Sequence, residues 1–174
     1  MERTGLDTYK SLELHAKQAK AWPEWRTRAL DEIRGRIARG KAPVPGTYQS
    51  AGADHSLLVE IFRHEADPEA AWREACAGGC SDRLWLELAD GRAVKHPAEA
   101  APIYLRLAES AVARVRDGRY EHAVALLVKA ASAMRRIGAA PGFIQRLDAL
   151  RGKYKIKRNF IKLLEEKRKA LYSS

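Results

Sequence analysis

The chain has 174 residues and a formal net charge of +10; 46% of its residues are hydrophobic and only 7% are aromatic. Alanine and leucine dominate the hydrophobic set and runs of β-branched residues are nearly absent, which favours helices over sheets. No apolar stretch approaches the roughly 18 residues that a bilayer-spanning helix needs, and the polar first residues do not resemble a secretory leader. We therefore expect a soluble, cytoplasmic, all-α protein that does not act at a membrane.

Residues 1–40 are predicted to form a pair of helices. Leu6 to Lys20 carries a modest helical stripe, and Pro23 suits the first turn of a second helix, where its missing N–H has no partner to lose. Gly40 would end that second helix. Apolar side chains repeat at every fourth position along it and predict its buried stripe: Trp25, Ala29, Ile33 and Ile37.

Residues 41–55 form the one loop-like stretch, with Pro43, Pro45, Gly46 and Gly52 and little periodicity. A connection of this length is uncommon inside a compact domain, so it is a candidate domain boundary. The remaining residues, 56–174, would then form a helical-repeat domain. The alternative is one continuous array that includes the N-terminal pair.

Three later segments begin alike, with a glutamate two residues before an alanine: Asp67–Ala71, His96–Ala101 and Tyr120–Ala123. The acid favours the positive end of a helix, and the small alanine lets a neighbouring helix approach closely. Ser81 is a predicted N-cap for a short helix between the first two. We expect a short right-handed stack of antiparallel helix hairpins, a tetratricopeptide-like α-solenoid of about seven to nine helices.

Helical stripes in the second half predict its buried side chains. Gly138 should end the second of the three helices concerned, and Gly152 could bend the third. The stripes comprise Tyr104, Leu107, Ala108, Ala111 and Val115; Ala123, Leu127, Ala131 and Met134; and Phe143, Leu147, Leu150, Tyr154, Ile161 and Leu164.

The sequence offers little for metal binding or catalysis. Cys76 and Cys80 are best interpreted as reduced thiols, one packed and one near a helix end; half a metal site with His55 or His64 is the weaker alternative. There is no glycine-rich phosphate loop, nucleophile elbow or HExxH motif. We expect no enzyme activity, no cofactor and no metal. Core packing is favoured over a binding groove for the four tryptophans: Trp22, Trp25, Trp72 and Trp85.

The C-terminal segment is the strongest candidate for a charged binding surface, because residues 151–174 carry nine cationic and two anionic side chains. On one continuous helix Arg151, Lys155, Arg158 and Lys162 would share a face, which could follow a phosphate backbone or another anionic partner. Tyr154 would point inward. The alternative is a solvated face whose lysine and arginine stems cover the last repeat.

Residues 57–164 resemble a helical region found toward the C-terminus of bacterial SWIM-type zinc-finger proteins. The resemblance implies an all-α, tetratricopeptide-like interaction module beside a zinc finger that contacts DNA or protein. The Cys-x-Cys and Cys-x-His pairs of that finger are missing here, so its zinc chemistry cannot be carried over. The matching pieces are Ala71-Trp72, Gly78-Gly79-Cys80-Ser81, Leu84-Trp85-Leu86, Tyr104-Leu105, Tyr120-Glu121-x-Ala123 and Lys157-Arg158-Asn159-Phe160.

These features predict a non-catalytic module for protein–protein interaction, with another protein as its main partner. The first alternative is a nucleic-acid-associated module that binds the phosphate backbone through the basic C-terminal helix. The second is structural support for a zinc-finger domain absent from this chain.

Overall fold

The computed structural model describes residues 5–39, 54–114 and 120–172. All regular structure in these ranges is helical, which confirms the predicted all-α class. Ten helices lie there rather than about seven to nine, because the last part of the chain is divided into three. They are α1 (Gly5–Gln18), α2 (Trp22–Arg39), α3 (Ser56–His64), α4 (Pro68–Gly78), α5 (Asp82–Arg92), α6 (Pro97–Arg114), α7 (Glu121–Arg136), α8 (Ala140–Lys153), α9 (Arg158–Glu166) and α10 (Arg168–Tyr172).

Backbone contacts divide the chain into two compact units, Met1–Trp85 and Leu86–Ser174. The first holds α1 to α4 and the start of α5, and the second holds the rest of α5 and α6 to α10. The predicted loop at residues 41–55 lies outside the described residues except for Asp54 and His55. The right-handed solenoid stays a prediction. None of the described helices is long and apolar enough to cross a bilayer.

The core of the first unit lies where α3 packs along α4. The α3 helix buries bulky side chains and the α4 helix buries alanines, so the two backbones can approach closely. Tyr9 and Ala16 of α1 and Leu30 of α2 add to this core. The buried residues of the central pair are Leu58, Val59, Ile61 and Phe62 on α3 and Ala70, Ala71 and Ala75 on α4.

Local signals in the sequence set the ends of α4 and the start of α5. The side chain of Asp67 accepts a hydrogen bond of 2.9 Å from the backbone N–H of Ala70, and Pro68 is the first helical residue. Gly79 ends α4 with φ = 74°, a left-handed conformation that glycine adopts without strain. Ser81 accepts a bond of 3.4 Å from the N–H of Leu84. The predicted starts at Asp67 and Ser81 are confirmed.

A polar cluster joins α1 and α2 to the end of α3. Both carboxylate oxygens of Glu65 accept bonds of 2.7 Å from Arg26, and the Tyr9 hydroxyl donates a third of 2.7 Å. Burial alone would raise the pKa of Glu65, but the hydrogen bonds from Arg26 and Tyr9 outweigh it and hold that pKa below its usual value. Glu65 is therefore ionised and satisfied at neutral pH.

The tryptophan prediction needs correction at Trp25, which is 43% exposed and lies against Arg28 on the surface of α2. Leu30, which the predicted stripe omits, is the buried residue of this helix. Trp72 and Trp85 are half-buried and meet edge to face with ring centroids 5.7 Å apart. The repeat of apolar residues at every fourth position therefore marks an edge of α2 that is only partly buried. Leu30, which is not part of that repeat, is the residue of this helix that is shielded from solvent.

The second unit is organised around α7, which contacts α6, α8, α9 and α10. It runs most closely along α6, and both helices bury several alanines as well as larger side chains, which allows the close approach. Gly138, with φ = 69°, follows the end of α7 as predicted. The alanines are Ala100, Ala101 and Ala108 on α6 and Ala123, Ala130, Ala131 and Ala133 on α7.

The basic C-terminal segment is not one continuous helix, so that prediction is wrong. The helical hydrogen-bond ladder stops after Tyr154, and the N–H of Lys157 bonds instead to the carbonyl of Tyr154 at 2.9 Å. The chain resumes as α9 with Phe160 fully buried. Its ring lies 5.6 Å from that of Tyr120 and 6.4 Å from that of Tyr154. Gly152 lies within α8, so the break comes after it, where the Phe160 ring packs against Tyr120 and Tyr154.

Candidate functional site

A groove of about 560 Å³ lies between α6 and α8, with Leu127 of α7 at its base. We call it the α6–α8 groove. Both α6 and α8 pack on α7, and the groove is the space that remains between them. Its walls are Pro102, Leu105, Arg106 and Glu109 on α6 and Arg146, Leu147, Ala149, Leu150 and Lys153 on α8.

Helical periodicity explains why these side chains line one space. On α6 the wall residues from Pro102 to Glu109 are three, four and seven positions apart, which places them along one helix face. Tyr104 and Leu107 on the adjoining face are buried. The same spacing recurs on α8 from Arg146 to Lys153. On α6 the groove face thus adjoins the core face, whereas on α8 the core residues Leu147 and Leu150 also line the groove, beside the exposed Arg146 and Lys153.

Among the described residues that line the groove, three side chains are cationic and one is a carboxylate. Lys153 reaches from α8 to Glu109 on α6 at 2.6 Å, and this hydrogen bond raises the pKa of Lys153. The two side chains are 60% and 47% exposed, so solvent screens their attraction and the bridge stabilises the fold little. Arg146 is exposed and has no ion-pair partner within the described part of the chain.

The four predicted site residues do not form one stripe. Arg151, on α8, is engaged by its own chain: it pairs with Glu165 and donates a bond of 3.1 Å to the Tyr172 hydroxyl. Its guanidinium therefore joins α8 to α9 and α10, which makes it a structural contact rather than a free cation.

The other three predicted site residues are exposed near the start of α9. Lys155 lies in the turn before α9 and Arg158 is its first residue; among the described residues neither has an ion-pair partner. Lys162 follows one turn later, 78% exposed and 4.0 Å from Glu166. We call Lys155, Arg158 and Lys162 the α9 basic surface.

Lys157, by contrast, makes contacts within the fold. Its ammonium donates a 2.8 Å bond to the carbonyl of Val112 near the end of α6. It also lies 5.4 Å from the ring centre of Tyr120 and 5.8 Å from that of Tyr154, which is cation–π distance. The backbone carbonyl and the two rings hold the α8–α9 turn against the neighbouring helices.

A second, smaller space of about 310 Å³ contains the polar trio Asp90, Tyr104 and Lys129. Asp90 accepts bonds of 2.7 Å from both the Tyr104 hydroxyl and Lys129. Burial, then the hydrogen bond to Asp90, raises the pKa of Tyr104. The tyrosine thus stays protonated and the carboxylate is neutralised by its lysine, so the trio is a satisfied structural network.

Metal ligands are not assembled in the part of the chain that the structure describes. Cys76 is exposed and Cys80 is buried, as expected for one thiol near a helix end and one packed thiol. No group of three or more histidine, cysteine, aspartate or glutamate side chains could hold a metal ion within the described ranges. His55 bonds to Glu74 at 2.9 Å and His64 to Glu13 at 2.7 Å.

Comparison with protein-family models, with curated proteins and with solved structures finds no match. The resemblance to the helical region of SWIM-type zinc-finger proteins stays a prediction.

Sequence reasoning missed the α6–α8 groove. The available signal was the second face of α6, where Leu105 follows the buried Tyr104 and precedes the exposed Arg106. A helix with a core face and an adjoining mixed face can be recognised from sequence. What covers that second face depends on the spacing of α6 and α8, which periodicity does not determine.

Proposed function

We propose that this chain is a non-catalytic helical module that binds another protein through the α6–α8 groove. The observation that carries the proposal is an apolar concavity bordered by two helices and closed at its base by a third. At about 560 Å³ it falls in the size range of ligand-binding clefts. A leucine-sized side chain buried there would contribute about 1.5–3 kcal/mol.

Peptide display tests the proposal and does not require that the partner be identified first. A library of random peptides is selected on the full chain, and the enriched peptides are assayed by fluorescence anisotropy against Leu105→Asp, which places a charge on the groove wall. The matched control is Ala125→Asp, the introduction of the same charge at an exposed position of α7 outside the groove. Circular dichroism verifies that both variants keep their helical content.

We expect the enriched peptides to bind the wild type and Ala125→Asp equally and to lose at least about tenfold in affinity for Leu105→Asp. Peptides that bind all three proteins alike would show that the groove is not the binding site. A selection that enriches nothing would count against a peptide-binding function.

A second function, association with nucleic acid through the α9 basic surface, has its own support. Lys155 and Arg158 are exposed cations that no described side chain neutralises. Arg158 is also the first residue of α9, where the helix dipole disfavours a positive charge. The fold gains no evident stability from these charges, and their release of counterions from a phosphate backbone would give salt-dependent affinity.

This second function is tested by fluorescence anisotropy with single- and double-stranded oligonucleotides across a salt series. Reversal of Lys155, Arg158 and Lys162 to glutamate should abolish binding, and in the wild type the logarithm of affinity should fall linearly with the logarithm of salt concentration. Unchanged affinity in the triple variant excludes the surface. A control with the same change in net charge reverses three exposed cations elsewhere: Lys10, Arg36 and Lys95.

A further inference from the structure

We infer that the partner segment bound in the α6–α8 groove is an acidic amphipathic helix of about two to three turns. This inference rests on the proposed protein-binding function and adds the shape and charge of the occupant. Three observations support it: the length of the groove walls, their apolar floor and their unbalanced charge.

The length of the walls suits a short helix. On α6 they run from Pro102 to Glu109 and on α8 from Arg146 to Lys153, so each extends over seven residue steps. At 1.5 Å per residue this is about 10 Å, or two helical turns. Two helices that flank a third leave a channel into which the side-chain ridge of another helix can pack. An occupant would insert apolar residues at positions i, i+3 or i+4, and i+7.

The apolar lining of the channel is aliphatic, since Leu105, Leu127, Leu147 and Leu150 all line it and no aromatic side chain of the described residues does. Aliphatic walls accept leucine-like side chains by burial of apolar area. Single-stranded nucleic acid, by contrast, is held by bases stacked on aromatic rings. The floor therefore favours a protein helix over nucleic acid as the occupant.

The rim selects for negative charge. Arg146 is an exposed cation at the groove that no described side chain neutralises, and among the described lining residues the only carboxylate is Glu109, which Lys153 already engages. Glu109 and Lys153 already pair across the space, and because this bridge is exposed a ligand carboxylate could replace Glu109 at little cost. A basic helix would meet Arg146 and Lys153, and like charges at a binding site disfavour association.

A second copy of this chain fits the rim less well. The chain carries a net charge of +10, so two copies have like net charge and repel each other as they approach. The occupant is accordingly assigned to a different, acidic protein.

Four designed peptides of eleven residues, or about three helical turns, test this inference on the full chain by fluorescence anisotropy. All have strong helix formers. The first has leucine at positions 1, 4, 8 and 11 with glutamate on the flanking faces; the second replaces glutamate by lysine and the third by glutamine. The fourth keeps glutamate and replaces leucine by serine. The protein variants are Arg146→Glu, Leu105→Asp and the exposed control Ala125→Asp.

The glutamate–leucine peptide should bind at least about tenfold tighter than the lysine–leucine and serine peptides, with the glutamine peptide between them. Arg146→Glu should narrow the preference for glutamate over lysine by several-fold, while Ala125→Asp leaves it unchanged. Leu105→Asp should abolish the binding of every peptide.

The remaining outcomes separate the two proposals. Equal affinity for the glutamate and lysine peptides would refute the acidic partner and leave the groove as a peptide site. Peptides enriched by display that bind at the groove, when none of the designed helices does, would refute a helical occupant. Binding of no peptide of either kind would overturn the inference and the proposed function together. Concentration-dependent dimerisation that Leu105→Asp abolishes would replace both with self-association.

Discussion

The break between α8 and α9 decides how the basic C-terminal segment is presented, and one pair of substitutions tests it. Ile156 and Phe160 are four residues apart, so on a continuous helix they would lie on the same face and be buried to a similar degree. In the structure Ile156 is 83% exposed and Phe160 is 0% exposed. We therefore compare Phe160→Ala with Ile156→Ala.

The burial of each side chain sets the expected loss of stability. Removal of a fully buried phenylalanine ring costs about 3–5 kcal/mol, because apolar burial is lost and a cavity remains. Phe160 also loses its ring contacts with Tyr120 and Tyr154, at 5.6 Å and 6.4 Å between centroids. Ile156 has little contact to lose, so its replacement should change the free energy of unfolding by less than about 0.5 kcal/mol.

Urea unfolding followed by circular dichroism at 222 nm measures both losses. Hydrogen exchange of peptides from residues 140–166 then locates the effect, with faster exchange expected there for Phe160→Ala alone. All four tryptophans lie in the unit Met1–Trp85, so tryptophan fluorescence follows that unit separately. Similar losses for the two variants, or a loss below about 1 kcal/mol for Phe160→Ala, would refute the break and restore the continuous helix.

Three further predictions concern the first unit. Asp67→Ala removes the cap bond to the N–H of Ala70 and should cost about 1 kcal/mol in urea unfolding, with Asp67→Asn as the mild control. Gly78→Ala places a methyl group 2.0 Å from the ring of His55, so hydrogen exchange should quicken around residue 55; unchanged exchange would contradict this packing. The pKa of Glu65 is lower in the folded chain than in the unfolded chain, where it is about 4.3. The ionised carboxylate therefore contributes fully to the free energy of unfolding above the unfolded pKa, and this contribution is lost as pH falls through the folded pKa. Glu65→Gln should therefore be less stable than wild type at pH 7, by a difference that shrinks below about pH 4; a difference that grows there would reverse the sign of the shift.

Much of the helix pattern could be predicted because it depends on neighbours in the sequence. Asp67 and Ser81 are caps whose side chains reach backbone N–H groups three residues ahead. Tyr104, Leu107 and Ala108 of the α6 stripe are buried, as their spacing predicts. These features do not depend on the rest of the fold, since a cap or a stripe is defined within one or two turns.

The end of the chain could not be predicted in the same way. Lys155, Ile156 and Lys157 are acceptable helix formers, and no proline interrupts them. The helix nevertheless stops there. Phe160 packs against Tyr120, and Lys157 bonds to the carbonyl of Val112, both far away in the sequence. Such long-range contacts override local propensity and leave no periodic signal.

The charged side chains can be counted from the sequence, but the sequence does not show which of them form ion pairs within the fold and which face solvent. Arg151 and Arg158 look equivalent in the sequence, yet Arg151 pairs with Glu165, fourteen residues away, while Arg158 faces solvent. The distinction changes which residues belong to a candidate anion-binding surface. Pairing across helices therefore had to come from the structure.

The central claim, that a partner helix binds between α6 and α8, is tested most directly by titrating the isotope-labelled chain with the glutamate–leucine peptide and recording amide chemical shifts. We predict the largest shifts at residues 102–109 and 146–153, and none of comparable size for the serine peptide. Shifts centred on residues 155–162, or no shifts at millimolar peptide, would contradict the claim.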